Sequence, residues 1–330
     1  MKKVFILICF VFCVTISFAQ SSLLATLSHE GQITTFYGAT ALREAHDAAT
    51  HGDIITLSSG TFVSVDITKA ITLRGAGMVV DTVHNTLPTI ISGNFKINIA
   101  DSVSQKLTIE GVYSNHDIEY INVNNPVFLK CRFKRLSSQT GNDKLKDAMF
   151  IHCRIADQIY LAENSSASLI NCIVNIPYSR NATSNYEFTN CVIYYATSPK
   201  ASSFTNCVLL ESPETQACIT NDCSAYYNIS INSNSFKQIP NNTNRVVDIE
   251  SLCKTYKGGE FKNLDSENFE LTDEAKIKYL GSDGAQVGIY GGALPYNPTP
   301  SNPQITKCKV ASKSTADGKL SVDIEVKAAE

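Results

Sequence analysis

Apolar and polar residues alternate along most of the chain in short runs, and helical spacing is confined to a few places. Five stretches share one pattern: "PVFLKCRFK" (126–134), "AMFIHCRIA" (148–156), "ASLINCIVN" (167–175), "YEFTNCVIY" (186–194) and "SSFTNCVLL" (202–210). Each places an apolar residue three positions before a cysteine (Phe128, Phe150, Leu169, Phe188, Phe204) and another two positions after it (Phe133, Ile155, Val174, Ile193, Leu209). Period-two alternation on both sides of the cysteine predicts a strand, a bend and a second strand. The column extends upstream through Gly75, Gly93 and Gly111 and downstream to Cys223, in steps of 16 to 22 residues. That period is too short for a propeller blade and lacks a leucine-rich signature, but it suits one coil of a parallel β-helix with rungs ~4.8 Å apart. In such a coil Cys131, Cys153, Cys172, Cys191 and Cys207 face inward as small hydrophobes. The preceding Asn171, Asn190 and Asn206 occupy left-handed bends, where their amides are expected to bond to one another as a ladder. Cysteines stacked side by side do not aim their Cβ atoms at each other, so the five are expected to be free thiols; Cys218 and Cys223 are the one pair placed for a disulfide.

The ends of the 330-residue chain set its context. "MKKVFILICFVFCVTISFAQ" has two lysines, an apolar run from Val4 to Phe18 and a small residue at Ala19. This is the pattern of a secretory signal peptide spanning residues 1–19, which predicts an exported protein: periplasmic, at the cell surface or extracellular. No later run reaches the ~18–20 apolar residues of a membrane span. A formal charge of -3 without any basic run gives no general attraction to nucleic acid. After a lead-in at 20–35, the repeats predict a β-helix domain over 36–296. Four prolines in "PYNPTPSNPQ" then predict a stiff linker over 297–304, and alternation around Asp317-Gly318 a β-hairpin within 305–330. Two strands cannot form a core alone, so this tail is expected to contact the helix, a partner or a surface.

The segment "TALREAHDAATHGDIITLSSGTFVSVDITKAITLRGAG" (40–77) resembles the opening of the secreted bacterial pectin-lyase-like β-helix proteins, and "NFELTDEAKIKYLGSDGAQVGIYGGALPY" (268–296) resembles their closing segment. The resemblance implies an all-β, right-handed parallel β-helix whose open end is covered by a short helix. Here Thr40 would cap that helix, Leu42, Ala45, Ala48 and Ala49 would form its apolar face, and Gly52 would end it. In related lyases a basic residue on the outer face abstracts the proton α to a uronate, with calcium held by carboxylates. The fold also hosts hydrolases, adhesins and inert shafts, so it does not fix an activity.

Candidate chemistry lies on the outer face. Lys130 and His152 at the bend, with Arg132 and Arg154 after the cysteine, predict a two-by-two basic patch able to bind an acidic polysaccharide, with Lys134 and Arg135 close by. The competing arrangement pairs the arginines with Asp143, Asp147 or Asp157. No rung-aligned acidic pair accompanies the patch, so neither a calcium site nor a hydrolase carboxylate pair is expected; calcium would enter only with a lyase. The acidic run 265–274 reads as turn capping. His46 and His51 read as structural rather than as a metal pair, and Tyr178, Tyr186, Tyr194, Tyr195, Tyr226 and Tyr227 as coverage rather than sugar platforms. The expected function is a non-catalytic, glycan-binding or surface-scaffold, adhesin-like protein; the alternative is a polysaccharide lyase or glycoside hydrolase acting on an acidic polysaccharide.

Overall fold

The computed structural model describes residues 23–327 apart from 83–85, 139, 141, 180–182, 196–198, 212–218, 240, 258–266, 302, 312 and 316. The expected signal peptide, His84 and Cys218 lie outside the described residues, as does the side chain of Cys308. The chain forms a parallel β-solenoid of about nine turns. One sheet has 11 strands and ends on Ser224–Tyr226; the other has 12, from Gly60–Val63 to Arg245–Val246.

The stacking register follows the alternation. Phe128, Phe150, Leu169, Phe188 and Phe204 lie in one column, and Phe133, Ile155, Val174, Ile193 and Leu209 in the other; all are at most 1% exposed. The rings of Phe128 and Phe150 stack at 4.7 Å and those of Phe188 and Phe204 at 4.9 Å. Between the columns, the five cysteines are fully buried and unpaired. Their thiols donate to backbone carbonyls, as from Cys153 to Phe128 at 3.3 Å and from Cys191 to Leu169 at 3.2 Å. The bend before each cysteine is left-handed, with φ of 52° at Lys130, 54° at His152, 49° at Asn171, 51° at Asn190 and 58° at Asn206.

Four assignments at the ends of the column change. Gly75 and Gly111 occupy the bend position, since Arg74 pairs with Glu110 and Glu110 with Leu129; Val112 takes the inward place. The 36-residue step from Gly75 to Gly111 is therefore one coil. Gly93 turns a different corner, beside Ser64. Downstream, Thr205 pairs with Tyr226, so the bend falls on Tyr227 (φ 58°) and the inward residue is Asn228, not Cys223. The Asn228 amide accepts from the Cys207 N–H at 2.8 Å and donates to the Phe204 carbonyl at 2.9 Å. Asn244, one coil on, donates to the Ala225 carbonyl at 2.9 Å. Amide side chains thus satisfy backbone groups where the ladder runs out of rungs.

At the other end, strands β1 (Leu24–His29) and β2 (Gln32–Tyr37) form an antiparallel hairpin, and β1 joins β3 (Ile54–Leu57), the first strand of the parallel stack. Helix α1 (Ala41–Ala48) lies over the interior. Thr40 does not cap it: its hydroxyl donates to Glu44 Oε1 at 2.8 Å. The buried face is Ala41, Leu42, Ala45 and His46, continued by Ala49, whereas Ala48 is exposed. His46 Nε2 accepts the Thr68 N–H at 3.2 Å, and His51 Nδ1 accepts the Ala70 N–H at 3.0 Å, so both imidazoles tie down the loop that begins the next coil. At the C-terminal end, Gln304–Val310 and Val322–Lys327 form the expected antiparallel hairpin.

Burial pushes the thiols of Cys131, Cys172 and Cys207 well above their ordinary range, and a thiol that stays protonated is inert. All five ladder cysteines are fully buried and out of a reagent's reach, so they should resist a thiol reagent in the native protein and react once it is denatured. Cys191→Asp should cost several kcal/mol, the penalty for an unpaired buried carboxyl. Fast native labelling of all five would show that the column does not face inward.

Candidate functional site

The predicted basic patch is brought together, but it is not open. Lys130, His152 and Arg154 are each only 7% exposed, because residues 281–301 run back along the bend column as a strap. Lys130 Nζ donates to the Thr299 carbonyl at 2.5 Å, and the His152 ring donates from Nε2 to the Leu294 carbonyl at 3.0 Å. Arg154 Nε donates to the Tyr296 hydroxyl at 2.7 Å, and the Arg132 guanidinium lies 4.5 Å from the centroid of the Tyr113 ring. Arg135, close by, pairs with Asp157 at 2.6 Å and with Asp117 at 3.3 Å.

The asparagines follow the same logic, and their amides do not bond to one another as expected. Asn171 Nδ2 donates to the carbonyls of Ile289 and Gly291 at 2.8 and 2.9 Å, and Asn206 Oδ1 accepts the Ser282 N–H at 2.9 Å. Gly292 (φ 74°) sits so close that a Cβ there would lie 2.2 Å from Asn190 Nδ2. Farther along, the Ser301 N–H donates to Glu110 Oε1 at 2.7 Å. The Pro-rich segment is therefore docked along the solenoid up to Pro300, which is itself buried. A strap outside any sheet must place its carbonyls and amides somewhere, and the bend side chains receive them.

Next to the bend, the outward column reads Arg132, Arg154, Ile173, Val192, Val208 and Ile229. Its apolar members join Tyr194, Leu252, Tyr256, Leu271, Val287, Ile289 and Tyr296 in a second hydrophobic core outside the coil. The acidic run supports this covering segment: Glu270 pairs with Lys276 at 2.6 Å and Lys254 at 2.9 Å, which holds its carboxyl down to about 2. Of the tyrosines, Tyr186 is fully buried, while Tyr226 and Tyr227 are exposed.

An open site lies at the C-terminal end of the solenoid. A cleft of about 610 Å³ is lined by Tyr227, Asn242, Thr243, Arg245, Lys278 and Tyr279, with Val246 and Leu280 at its apolar side. Tyr227 is the left-handed bend residue of its coil, Arg245 begins the last short strand, and Lys278 ends a helix of the covering segment. Arg245 Nη1 donates to the carbonyls of Asn242 and Asn244, which hold the guanidinium against the last coil. The Lys278 ammonium lies 5.4 Å from the centroid of the Tyr279 ring. Cations beside exposed aromatic faces can hold a carboxylate or sulfate while a sugar ring lies on the aromatic. From the sequence, Tyr227 reads as coverage rather than as a sugar platform, and the pattern does not bring Arg245, Lys278 or Tyr279 forward. Extending the bend column by one coil would have found Tyr227, but Arg245 and Lys278 carry no repeat signal.

No family model matches the chain, and neither the curated proteins nor the solved structures hold a match to it.

Two outcomes test the strap. Arg154→Ala should destabilise by about 1–3 kcal/mol, because the buried Tyr296 hydroxyl loses its partner; a fully solvated arginine would cost almost nothing. Burial lowers the pKa values of His152 and His46 below the ordinary value of 6.5. The unfolded chain therefore binds the extra protons first, and stability is complete above about pH 6.5 and falls as pH drops through the folded values. His152→Asn, which keeps a residue suited to the bend, should flatten the slope of denaturant midpoint against pH between about 7 and 5. An unchanged slope would mean that His152 is not held neutral by the strap.

Proposed function

We propose that this protein is a non-catalytic, glycan-binding β-solenoid of the pectin-lyase-like, right-handed type, exported to act as a scaffold outside the cytoplasm. The observation that carries the reading is the terminal cleft, where Arg245 and Lys278 stand beside Tyr227 and Tyr279 on a surface the strap leaves open. The ligand is an acidic polysaccharide bearing uronate or sulfate groups. Lys130, His152 and Arg154 of the predicted patch serve instead to fasten the chain's own C-terminal segment, with Arg132 set over the Tyr113 ring beside them, so glycan binding moves one end of the solenoid away from it. The rigid ladder holds the cleft in a fixed shape, which lowers the ordering cost of binding.

Titration calorimetry with polygalacturonate, alginate and heparin fragments tests this. At least one should bind, more weakly as salt rises, since exposed charge pairs are screened over ~10 Å at 0.1 M. The pair Arg245→Ala and Lys278→Ala should weaken binding at least ~10-fold, about 1.4 kcal/mol, with the fold intact. Equal and salt-insensitive binding by wild type and double variant would remove the cleft from consideration. Release of unsaturated sugars from the bound chain would make the protein a lyase.

A further inference from the structure

Strand β2 is the outermost strand of the 11-stranded sheet, and among the described residues it pairs only with β1. Ile33 is 72% exposed and Tyr37 64% exposed. The strand reads "QITTFY", with no charge and no proline, and its register with β1 is free of bulges. The usual devices that blunt an open edge are therefore missing.

The hairpin register shows which backbone groups face that edge. A two-residue turn at Glu30 (φ 47°) and Gly31 (φ 80°) closes on the His29–Gln32 pair, and the Gly38 N–H donates to the Leu23 carbonyl at 2.9 Å on the same alternation. Hydrogen-bonded pairs alternate in an antiparallel ladder. Gln32, Thr34 and Phe36 thus spend their amides and carbonyls on β1, while those of Ile33, Thr35 and Tyr37 point outward from the sheet. Phe36 packs on the interior core, so the side chains of Ile33, Thr35 and Tyr37 share the outer face.

We propose that this edge pairs with the same edge of a second copy, antiparallel about a two-fold axis through Thr35. In that register Ile33 lies opposite Tyr37 of the other copy and Thr35 opposite Thr35. The three residues with free backbone groups are then the three that form hydrogen-bonded pairs, giving six bonds in the two-fold arrangement. The two largest exposed apolar side chains of β2 meet across the axis, and no charge meets its like. A slip of two residues drops the bonds to four and leaves Ile33 or Tyr37 without an opposite residue on the strand. One six-residue strand buries less than the ~1,200 Å² of a standard stable interface, so the dimer is weak and depends on concentration.

Sedimentation equilibrium of the chain from residue 20, between about 1 µM and 1 mM, spans the affinities expected of so small an interface and should show a monomer–dimer equilibrium. Hydrogen exchange should find the amides of Ile33, Thr35 and Tyr37 protected only at high concentration, and those of Gln32, Thr34 and Phe36 protected throughout. Thr35→Pro removes the two N–H donors at the axis, and Ile33→Lys places like charges on the edge; circular dichroism checks that each still folds. Each variant should weaken the dimer at least ~10-fold. A monomer over the whole range would overturn the proposal. So would a dimer that neither variant weakens, or one that leaves the three edge amides exchanging freely. Protection that appears only when an unlike extended peptide is added would give the edge to a different partner and would equally refute self-pairing.

Discussion

The left-handed bend one residue before the inward column is the constraint on which the rest of the structure depends. A residue at φ near 50° reverses the chain sharply enough to bring the next strand round the coil, and stacking requires the reversal at the same place in every rung. Its side chain has to leave the coil, because the following residue fills the interior. A line of outward, mostly polar side chains is therefore built into the fold. Lys130, His152, Asn171, Asn190 and Asn206 form that line, and the strap 281–301 uses it as a row of donors and acceptors. The strap in turn makes the neighbouring outward column a second core, so the two hydrophobic clusters lie on either side of one backbone wall.

This arrangement explains which parts of the sequence were legible. The two inward columns and the five cysteines could be read because alternation has a period of two and burial inside a coil is local to each rung. Coverage of the outer face is not local: it comes from residues 76 to 191 positions away, and a strand pattern cannot tell solvent from a segment that arrives later. Part of the signal was present. "CIV", "CVI" and "CVLL" carry apolar residues at adjacent positions after the cysteine, the mark of a strand buried on both faces. Arg132 and Arg154 hid it, because charged residues at that position read as solvent-facing, whereas Arg154 lies beneath Tyr296 of the strap. Glycine is ambiguous in the same way, serving equally as a small inward residue or as a left-handed bend, which is why Gly111 falls one position from its expected column. The cleft was the least legible feature, since Tyr227, Arg245 and Lys278 meet only after the last coils and the covering segment are in place.

The strap also returns the chain to the first strand of the sheet. Leu24 and Thr26 of β1 line a shallow cleft of about 430 Å³ together with Pro300 and Pro303, so the C-terminal hairpin leaves the solenoid beside its first coil. A pull on that hairpin does not load the stacked rungs together. It reaches Ser301 on Glu110 first, then Thr299 on Lys130, Tyr296 on Arg154 and Leu294 on His152. Contacts loaded one after another peel at lower force than contacts sheared in parallel, and they can re-form in the reverse order when tension drops. The strap is thus placed to act as an extensible element between the tail and a shaft that stays folded beneath it.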